Sequence, residues 1–299
     1  MAAMRPLGGL LTAMVTPFRA DGGVHEERAV TLGRHLLANG SDGLVVCGTT
    51  GESPTLSDDE MVSLVSLMVG ELGDEAIVAA GAGSNATHHA CHLAERMSEA
   101  GAHALLSVTG YYNRPNRRGI VRHYEEVARA AGGTPVIVYN IPSRTTINLD
   151  PELLAELAQI EGIEAVKQSN GPDLGPIDGM TLLTGNDEDL ARCLDVGGAG
   201  GICVSSHIVG TEMRRMFDEP EHRAEIDASL RHVYKAMFCT ASPIPVKTAL
   251  NLLGHDVGGL RLPLVEADES ELAVIRGALE RQGLISPHRP PPRNPVHAA

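Results

Sequence analysis

The stretch GLVVCGTTGESPTLSDDEMVSLVSLMVGELG, residues 43–73, contains one complete strand–loop–helix unit. It opens with a short, continuous apolar run, which suits a strand that is buried on both faces of a parallel sheet. A turn rich in glycine and threonine follows, and Ser57 and Glu60 then have the spacing of a capping box at a helix start. The helical pattern ends at Gly73, and glycine is common at helix ends. The stretch therefore predicts a βα unit.

Similar apolar runs recur along most of the chain, and helical stretches such as HEERAVTLGRHLLANG and THHACHLAERMSEAG separate most of them. The runs are LLTAMVTPF (10–18), GLVVCGT (43–49), AIVAAGAG (76–83), HALLSVTG (103–110), PVIVYNIP (135–142), IEAVKQS (163–169), MTLLTGN (180–186) and GGICVSS (200–206). The segment GPDLGPIDG, between the sixth and seventh runs, is too short and too rich in proline for a full helix. Eight strands that alternate with helices predict a (β/α)8 TIM barrel, with the open doubly wound sheet as the competing architecture.

The strand pattern stops after about residue 208, and three helical stretches follow. They are EHRAEIDASLRHVYKAMF, PVKTALNLLG and DESELAVIRGALERQG. We therefore divide the chain into a catalytic barrel (1–220), a C-terminal helical region (221–285) and a proline-rich tail (286–299) that we expect to be disordered.

The composition excludes several classes of protein. The net charge of −14 argues against nucleic acid and anionic membranes as partners, since both favour basic patches. No apolar run approaches the ~20 residues of a membrane helix, and the N-terminal segment MAAMRPLGGLLTAMVTPF fits a first strand better than a signal peptide. The five cysteines are scattered without CxxC spacing, which indicates a reducing cytoplasm and no structural zinc.

Lysine is scarce in this chain, which has it only at positions 167, 235 and 247 among 24 basic residues. Lys167 ends the sixth apolar run, and the carboxyl ends of barrel strands are where active sites form. A lysine that is removed from water loses its charge more easily, and the neutral amine can form a Schiff base with a ketone. The ordinary alternative is a salt-bridged residue at a strand end. We interpret Lys247 as an ordinary helix residue.

Two other strand ends carry candidate groups. The turn GTTGES can direct successive backbone N–H groups at a small anion, although a plain connection between strand and helix has the same pattern. Tyr139 ends the fifth run and can relay a proton, although most tyrosines in strands only pack against their neighbours. The histidines, including His88 and His89, fit a helix face better than a set of metal ligands.

Taken together, GTTGES, YYNRP, YNIPSRT with a lysine on the next strand, TGND, and PIPVK followed by LRLP resemble the dihydrodipicolinate synthase family. The resemblance runs from about residue 8 to about residue 285. This family belongs to the pyruvate-dependent Schiff-base aldolases, which include N-acetylneuraminate lyase. The resemblance implies condensation of pyruvate with L-aspartate 4-semialdehyde to 4-hydroxy-tetrahydrodipicolinate, in lysine and diaminopimelate biosynthesis.

The resemblance also implies the catalytic residues. Lys167 would form the Schiff base with pyruvate, and Tyr139 would move protons during imine and enamine formation. Thr49 would link Tyr139 to Tyr112, and Tyr112 would reach in from a neighbouring subunit. The enzyme would then be a homotetramer, a dimer of dimers, with no metal and no organic cofactor.

The same resemblance assigns the groups that bind the substrates. The turn at Thr49 and Thr50 would hold the pyruvate carboxylate through backbone N–H groups. Arg144 would bind the carboxylate of the aldehyde, since a planar guanidinium suits a carboxylate. Gly185 and Ile202 would line the pocket through their backbone carbonyls.

Two departures from the family pattern leave room for other substrates. The lysine is followed by Gln168, Ser169 and Asn170 where an acidic or small residue is common, and Gly110 replaces a proline before the paired tyrosines. One alternative is therefore a related aldolase or dehydratase that acts on a sugar acid or another 2-oxo acid. The other is a catalytically silent barrel that only binds a 2-oxo acid.

The resemblance also bears on feedback by lysine, because inhibited members bind lysine at a dimer interface. Asn85 and Tyr111 match the residues of that site, but His89 stands where a glutamate is usual, and Asp58 and Met61 stand where histidines are frequent. Histidine cannot replace a carboxylate as the partner of an ammonium group. We therefore expect weak or absent inhibition by lysine.

Overall fold

The structure is a computed structural model that describes residues 7–287. Eight strands form its centre: β1 Gly9–Ala13, β2 Gly43–Val46, β3 Ile77–Gly81, β4 Ala104–Val108, β5 Val136–Asn140, β6 Ile163–Gln168, β7 Thr181–Thr184 and β8 Gly200–Cys203. Each strand pairs in parallel with the next along the chain, and β8 closes the circle by pairing with β1. The predicted (β/α)8 barrel is confirmed, and the doubly wound alternative is wrong.

Helices surround the barrel and follow it. They are α1 Glu26–Ala38, α2 Asp58–Leu72, α3 Thr87–Glu99, α4 Arg117–Ala130, α5 Pro142–Thr145, α6 Pro151–Leu157, α7 Leu190–Asp195, α8 Ser206–Asp218, α9 Arg223–Met237, α10 Ile244–Leu252 and α11 Glu269–Arg281. Between β6 and β7 the described chain forms no α-helix, as the proline-rich sequence predicts, but a short 3-10 turn, Gly171–Asp173, and an isolated bridge between Ile177 and Met180.

The barrel closes because its strands are short, aliphatic and buried on both faces. Every residue of β2 and β3 is buried, for example. The predicted capping box of α2 is also confirmed. The Glu60 N–H donates to the Ser57 hydroxyl over 3.2 Å, and the Ser57 N–H donates to the Glu60 carboxylate over 2.9 Å.

The chain after α8 packs beside the barrel. Helix α9 contacts α8 and α11, and α10 packs against α11. The loop between α10 and α11 returns to the barrel, where the Phe18 N–H donates to the Val257 carbonyl over 3.0 Å. The division of the chain at residue 220 remains a prediction. Most of the predicted tail (286–299) lies outside the described residues, which end at residue 287.

No helix among residues 7–287 is long and apolar enough to cross a membrane. All five cysteines lie in that range as free thiols.

Candidate active site

Lys167 and Tyr139 lie side by side at the carboxyl ends of neighbouring strands. The register of β5 and β6 pairs the two residues directly, and the Lys167 Nζ lies 4.3 Å from the centre of the Tyr139 ring. Both residues are only 6% exposed. An amine in this place can react with a carbonyl at the mouth of the barrel, with a phenol at hand to exchange protons.

Lys167 has space beside it because Gly185, which follows β7, has no side chain. A β-carbon there would stand 2.9 Å from Lys167 Cε and 2.1 Å from Ser169 Oγ. Any other residue would push against the lysine, so glycine keeps space beside the amine. Ser169 is a neighbour that the sequence analysis did not include in the site. Its hydroxyl oxygen is buried and has no hydrogen-bond partner within residues 7–287.

The turn after β2 presents free backbone donors. The Glu52 N–H donates to the Thr49 carbonyl over 3.1 Å, and the Ser53 N–H donates to the Gly48 carbonyl over 3.3 Å. The N–H groups of Thr49 and Thr50 make no hydrogen bond within the described part of the chain. Adjacent free donors of this kind suit a carboxylate, which is the group that the family resemblance implies for this turn.

Arg144 lies at the entrance to this region. It belongs to the short helix α5, its side chain is exposed, and it lines a cavity of about 400 Å³ together with Thr49 and Tyr111. A smaller hollow of about 50 Å³ is lined by both Thr49 and Tyr139. Two predicted groups, Arg144 and the Thr49 turn, therefore border one cavity.

The remaining predicted residues are less closely gathered within one chain. Ile202 is buried on β8, whereas Tyr112 is 90% exposed in a left-handed backbone conformation with φ of 69°. Within residues 7–287, no hydrogen bond joins Thr49 to Tyr139 or to Tyr112. The predicted Thr49 relay is therefore not formed in the single chain.

Asp187 is a further polar residue at the site that sequence reasoning missed. Its buried carboxylate accepts hydrogen bonds from the Val204 N–H over 2.9 Å and the Ser205 N–H over 2.6 Å, which ties the loop after β7 to the end of β8. Burial raises the pKa of this carboxyl above its usual range, while its hydrogen bonds and the Lys167 charge oppose the rise. Its place in TGND was the available signal.

The interpretation of Lys247 as an ordinary helix residue was wrong. Its Nζ lies 2.6 Å from a carboxylate oxygen of Glu52, and both side chains are almost completely buried. Sequence periodicity places Lys247 on a helix but does not show that the helix faces the turn GTTGES.

A buried lysine beside a phenol at the mouth of a (β/α)8 barrel is the arrangement that a barrel lyase working through a Schiff base needs. The profile of the Dihydrodipicolinate synthetase family matches residues 6–282. A 4-hydroxy-tetrahydrodipicolinate synthase from Dehalococcoides mccartyi is 41% identical over 288 residues, covering 92% of this chain and 97% of its own. The enzyme of that name from Heliobacterium modesticaldum is 42% identical, covering 93% of this chain and 96% of its own.

Solved structures agree with the sequence relatives. Dihydrodipicolinate synthase from Cyanidioschyzon merolae, with lysine bound, superposes with a TM-score of 0.89 at 36% identity and covers 93% of this chain and 99% of its own. The chloride-inhibited enzyme from Acinetobacter baumannii, complexed with pyruvate, has a TM-score of 0.90 at 31% identity and covers 94% of this chain and 100% of its own. The chain belongs to the dihydrodipicolinate synthetase family.

Proposed function

We propose that this chain condenses pyruvate with L-aspartate 4-semialdehyde to give 4-hydroxy-tetrahydrodipicolinate, a step in lysine and diaminopimelate biosynthesis. The observation that carries the proposal is the buried Lys167 amine, 4.3 Å from the Tyr139 ring, in a chain that matches this family almost throughout. The assignment of roles to individual residues is part of the proposal.

The first half of the reaction activates pyruvate. The Lys167 amine adds to the ketone carbon, and water leaves as the imine forms. The protonated imine withdraws electrons from the neighbouring methyl carbon, so a proton leaves and an enamine results. Tyr139, whose ring centre lies 4.3 Å from Lys167 Nζ, exchanges these protons, and the free N–H groups of Thr49 and Thr50 hold the pyruvate carboxylate.

The second half forms the ring. The enamine carbon attacks the aldehyde of aspartate semialdehyde, whose carboxylate binds Arg144. The amino group of the new chain then adds to the imine carbon and displaces the Lys167 amine, which closes the ring. The net reaction joins the two substrates and releases one water. Positioning of the two carboxylates supplies the proximity on which the aldol step depends.

We also propose that the enzyme works in the cytoplasm as a homotetramer, a dimer of dimers. The free cysteines support a reducing compartment. The 90% exposure of Tyr112 supports assembly, because a tyrosine that completes a neighbour's site must project from its own chain.

A coupled assay tests the proposed function. Pyruvate and aspartate semialdehyde are supplied together with a nicotinamide-dependent reductase that consumes the ring product, and loss of the reduced nicotinamide is followed. We expect turnover that needs both substrates. Consumption of pyruvate, measured directly, in the presence of a sugar-acid aldehyde but not in the presence of aspartate semialdehyde would contradict the proposal in favour of a related aldolase. Absence of turnover with every aldehyde would favour a silent binding protein.

A further inference from the structure

A buried ion pair joins the C-terminal helical region to the turn GTTGES. Lys247 on α10 places its Nζ 2.6 Å from Glu52 Oε1, and the two side chains are 1% and 0% exposed. The same Nζ donates to the Gly259 carbonyl over 2.7 Å and lies 4.1 Å from the centre of the Phe18 ring. Removing two charges from water is costly, so an ion pair this deeply buried needs close partners on all sides.

Arg261 completes the arrangement from the loop between α10 and α11. Its backbone N–H donates to Glu52 Oε2 over 3.0 Å, so both carboxylate oxygens of Glu52 have partners from the C-terminal region. The Arg261 side chain donates to the carbonyls of Thr55 and Gly22 and forms an ion pair with Glu60. We call Glu52, Lys247 and Arg261 together the C-terminal clamp.

The clamp holds Glu52, whose backbone conformation is one that a non-glycine residue rarely adopts. Glu52 has φ of 56° and ψ of 34°, in the left-handed region. Such a conformation costs free energy and persists only where the surroundings hold it. The Glu52 N–H in turn closes the turn on the Thr49 carbonyl. The direction of the free N–H groups at Thr49 and Thr50 is therefore coupled to the side chain of Glu52.

Contacts that serve only to hold the helices on the barrel could lie at any point of the barrel surface. This clamp instead contacts Glu52, the residue whose N–H closes the turn that we propose to bind the carboxylate. We infer that Lys247 and Arg261 are positioning residues for pyruvate, which hold Glu52 and thereby the N–H groups of Thr49 and Thr50 in the geometry that binds the pyruvate carboxylate. The inference rests on the proposed function, because it assumes that this turn binds pyruvate.

Three variants separate positioning from folding. Lys247→Met leaves Glu52 buried without its cation, Glu52→Gln keeps the shape but removes the negative charge, and the double variant E52Q/K247M removes both charges. Lys235→Met, on the exposed face of α9, is the matched control. For each protein, the KM of both substrates, kcat and the melting temperature are measured.

We expect Lys247→Met and Glu52→Gln each to raise the KM for pyruvate at least about tenfold, since a small displacement of binding groups has effects of this size. The KM for aspartate semialdehyde should change less than about threefold, and Lys235→Met should match the parent protein. In the double variant the melting temperature should recover toward that of the parent, because no charge is left buried alone, while the KM for pyruvate stays raised.

A pyruvate KM that returns to the parent value together with the melting temperature of the double variant would overturn the inference, as would a folded Lys247→Met protein with normal pyruvate kinetics. If Lys247→Met does not fold, Glu52→Gln and the double variant decide. The pyruvate-binding half of the proposed function is judged separately, on whether the parent protein forms a borohydride-trapped adduct with pyruvate. An adduct in the parent, with unaltered pyruvate kinetics in the variants, would contradict only the clamp.

Discussion

At the scale of single residues, the chemistry of Lys167 follows from its neighbours. The amine lies against the Tyr139 ring, and Gly185 leaves space beside it. The Ser169 N–H donates to the Asn140 carbonyl over 2.8 Å, so the backbone beyond the lysine is anchored to β5. These contacts leave space beside the amine on the Gly185 side, where a carbonyl can be accommodated.

Arg144 tests the choice of aldehyde. Arg144→Ala should lower kcat/KM for aspartate semialdehyde by about 30-fold or more, equivalent to ~2 kcal/mol, because the substrate carboxylate loses its charge-assisted partner. The amount of pyruvate trapped by borohydride should change little. Arg118→Ala, which removes an exposed arginine from α4, is the control. Normal use of aspartate semialdehyde by Arg144→Ala would remove the main argument for this aldehyde over a sugar acid.

His207 gives a prediction about pH. Its ring accepts a hydrogen bond from the Val15 N–H over 3.2 Å and donates one to the Val204 carbonyl over 2.8 Å, so the buried ring is held neutral. Burial lowers its pKa to about 4. Since the unfolded chain takes up this proton near pH 6.5 and the folded chain only near pH 4, stability is lost as the pH falls through this window.

The loss from His207 should reach about 2 kcal/mol of unfolding free energy between pH 7 and pH 5. Denaturant titrations at both pH values measure it. The side chain of His207→Gln cannot be protonated in this range. In this variant the difference in unfolding free energy between pH 7 and pH 5 should be smaller by about that amount. An equal difference in both proteins would show that His207 does not contribute.

At the scale of elements, the loops after the strands carry the site, and α2 and α3 border its outer part. Asp58 and Met61 on α2 and His89 on α3 line the same cavity as Arg144. His89 Nε2 lies 3.0 Å from the Asp58 carboxylate, and His89 Nδ1 lies 3.2 Å from the Ser84 hydroxyl. Asp58 therefore already has a partner, which makes it a poor replacement for the glutamate expected at position 89.

Feedback by lysine should accordingly be weak or absent. A dose–response curve at saturating pyruvate should show no half-inhibition at submillimolar lysine. His89→Glu should lower the half-inhibitory concentration by about tenfold or more, since it adds a carboxylate for the lysine ammonium group. Strong inhibition of the parent protein would mean that Asp58 takes over the role of the missing glutamate.

The sequence predicted the strands and one residue of the candidate site, but it did not predict the partners of two others. The strands were predicted correctly because strands buried on both faces appear as apolar runs in the sequence. Lys167 was proposed as the nucleophile because lysine is scarce and this one ends such a run. The partners of Lys247 and Asp187 were missed for another reason. Lys247 meets Glu52 from a distant helix. The only signal for Asp187 was its place in TGND, since the backbone N–H groups that it binds belong to no particular residue type.

At the scale of the whole molecule, one chain does not complete the proposed proton relay. Tyr112 projects from the surface, and within residues 7–287 it makes no hydrogen bond to Thr49. A second subunit that supplies Tyr112 would close the relay and cover an exposed aromatic side chain at the same time.

We therefore expect a homotetramer in sedimentation experiments, with Tyr112 acting between subunits. Lys167→Ala and Tyr112→Phe subunits should each be nearly inactive alone. After mixing and exchange they should regain up to about a quarter of the parent activity, because a mixed dimer holds one intact site. A fully active monomer, or no recovery in exchanged mixtures, would contradict action between subunits.

The proposed reaction depends on a Schiff base between Lys167 and pyruvate. Reduction with borohydride in the presence of pyruvate, followed by peptide mass spectrometry, tests it most directly. We expect one pyruvate-derived adduct per chain, on Lys167, and its loss together with almost all turnover in Lys167→Ala. An adduct on Lys235 or Lys247, or no adduct in an enzyme that still turns over pyruvate, would rule out Lys167 as the nucleophile.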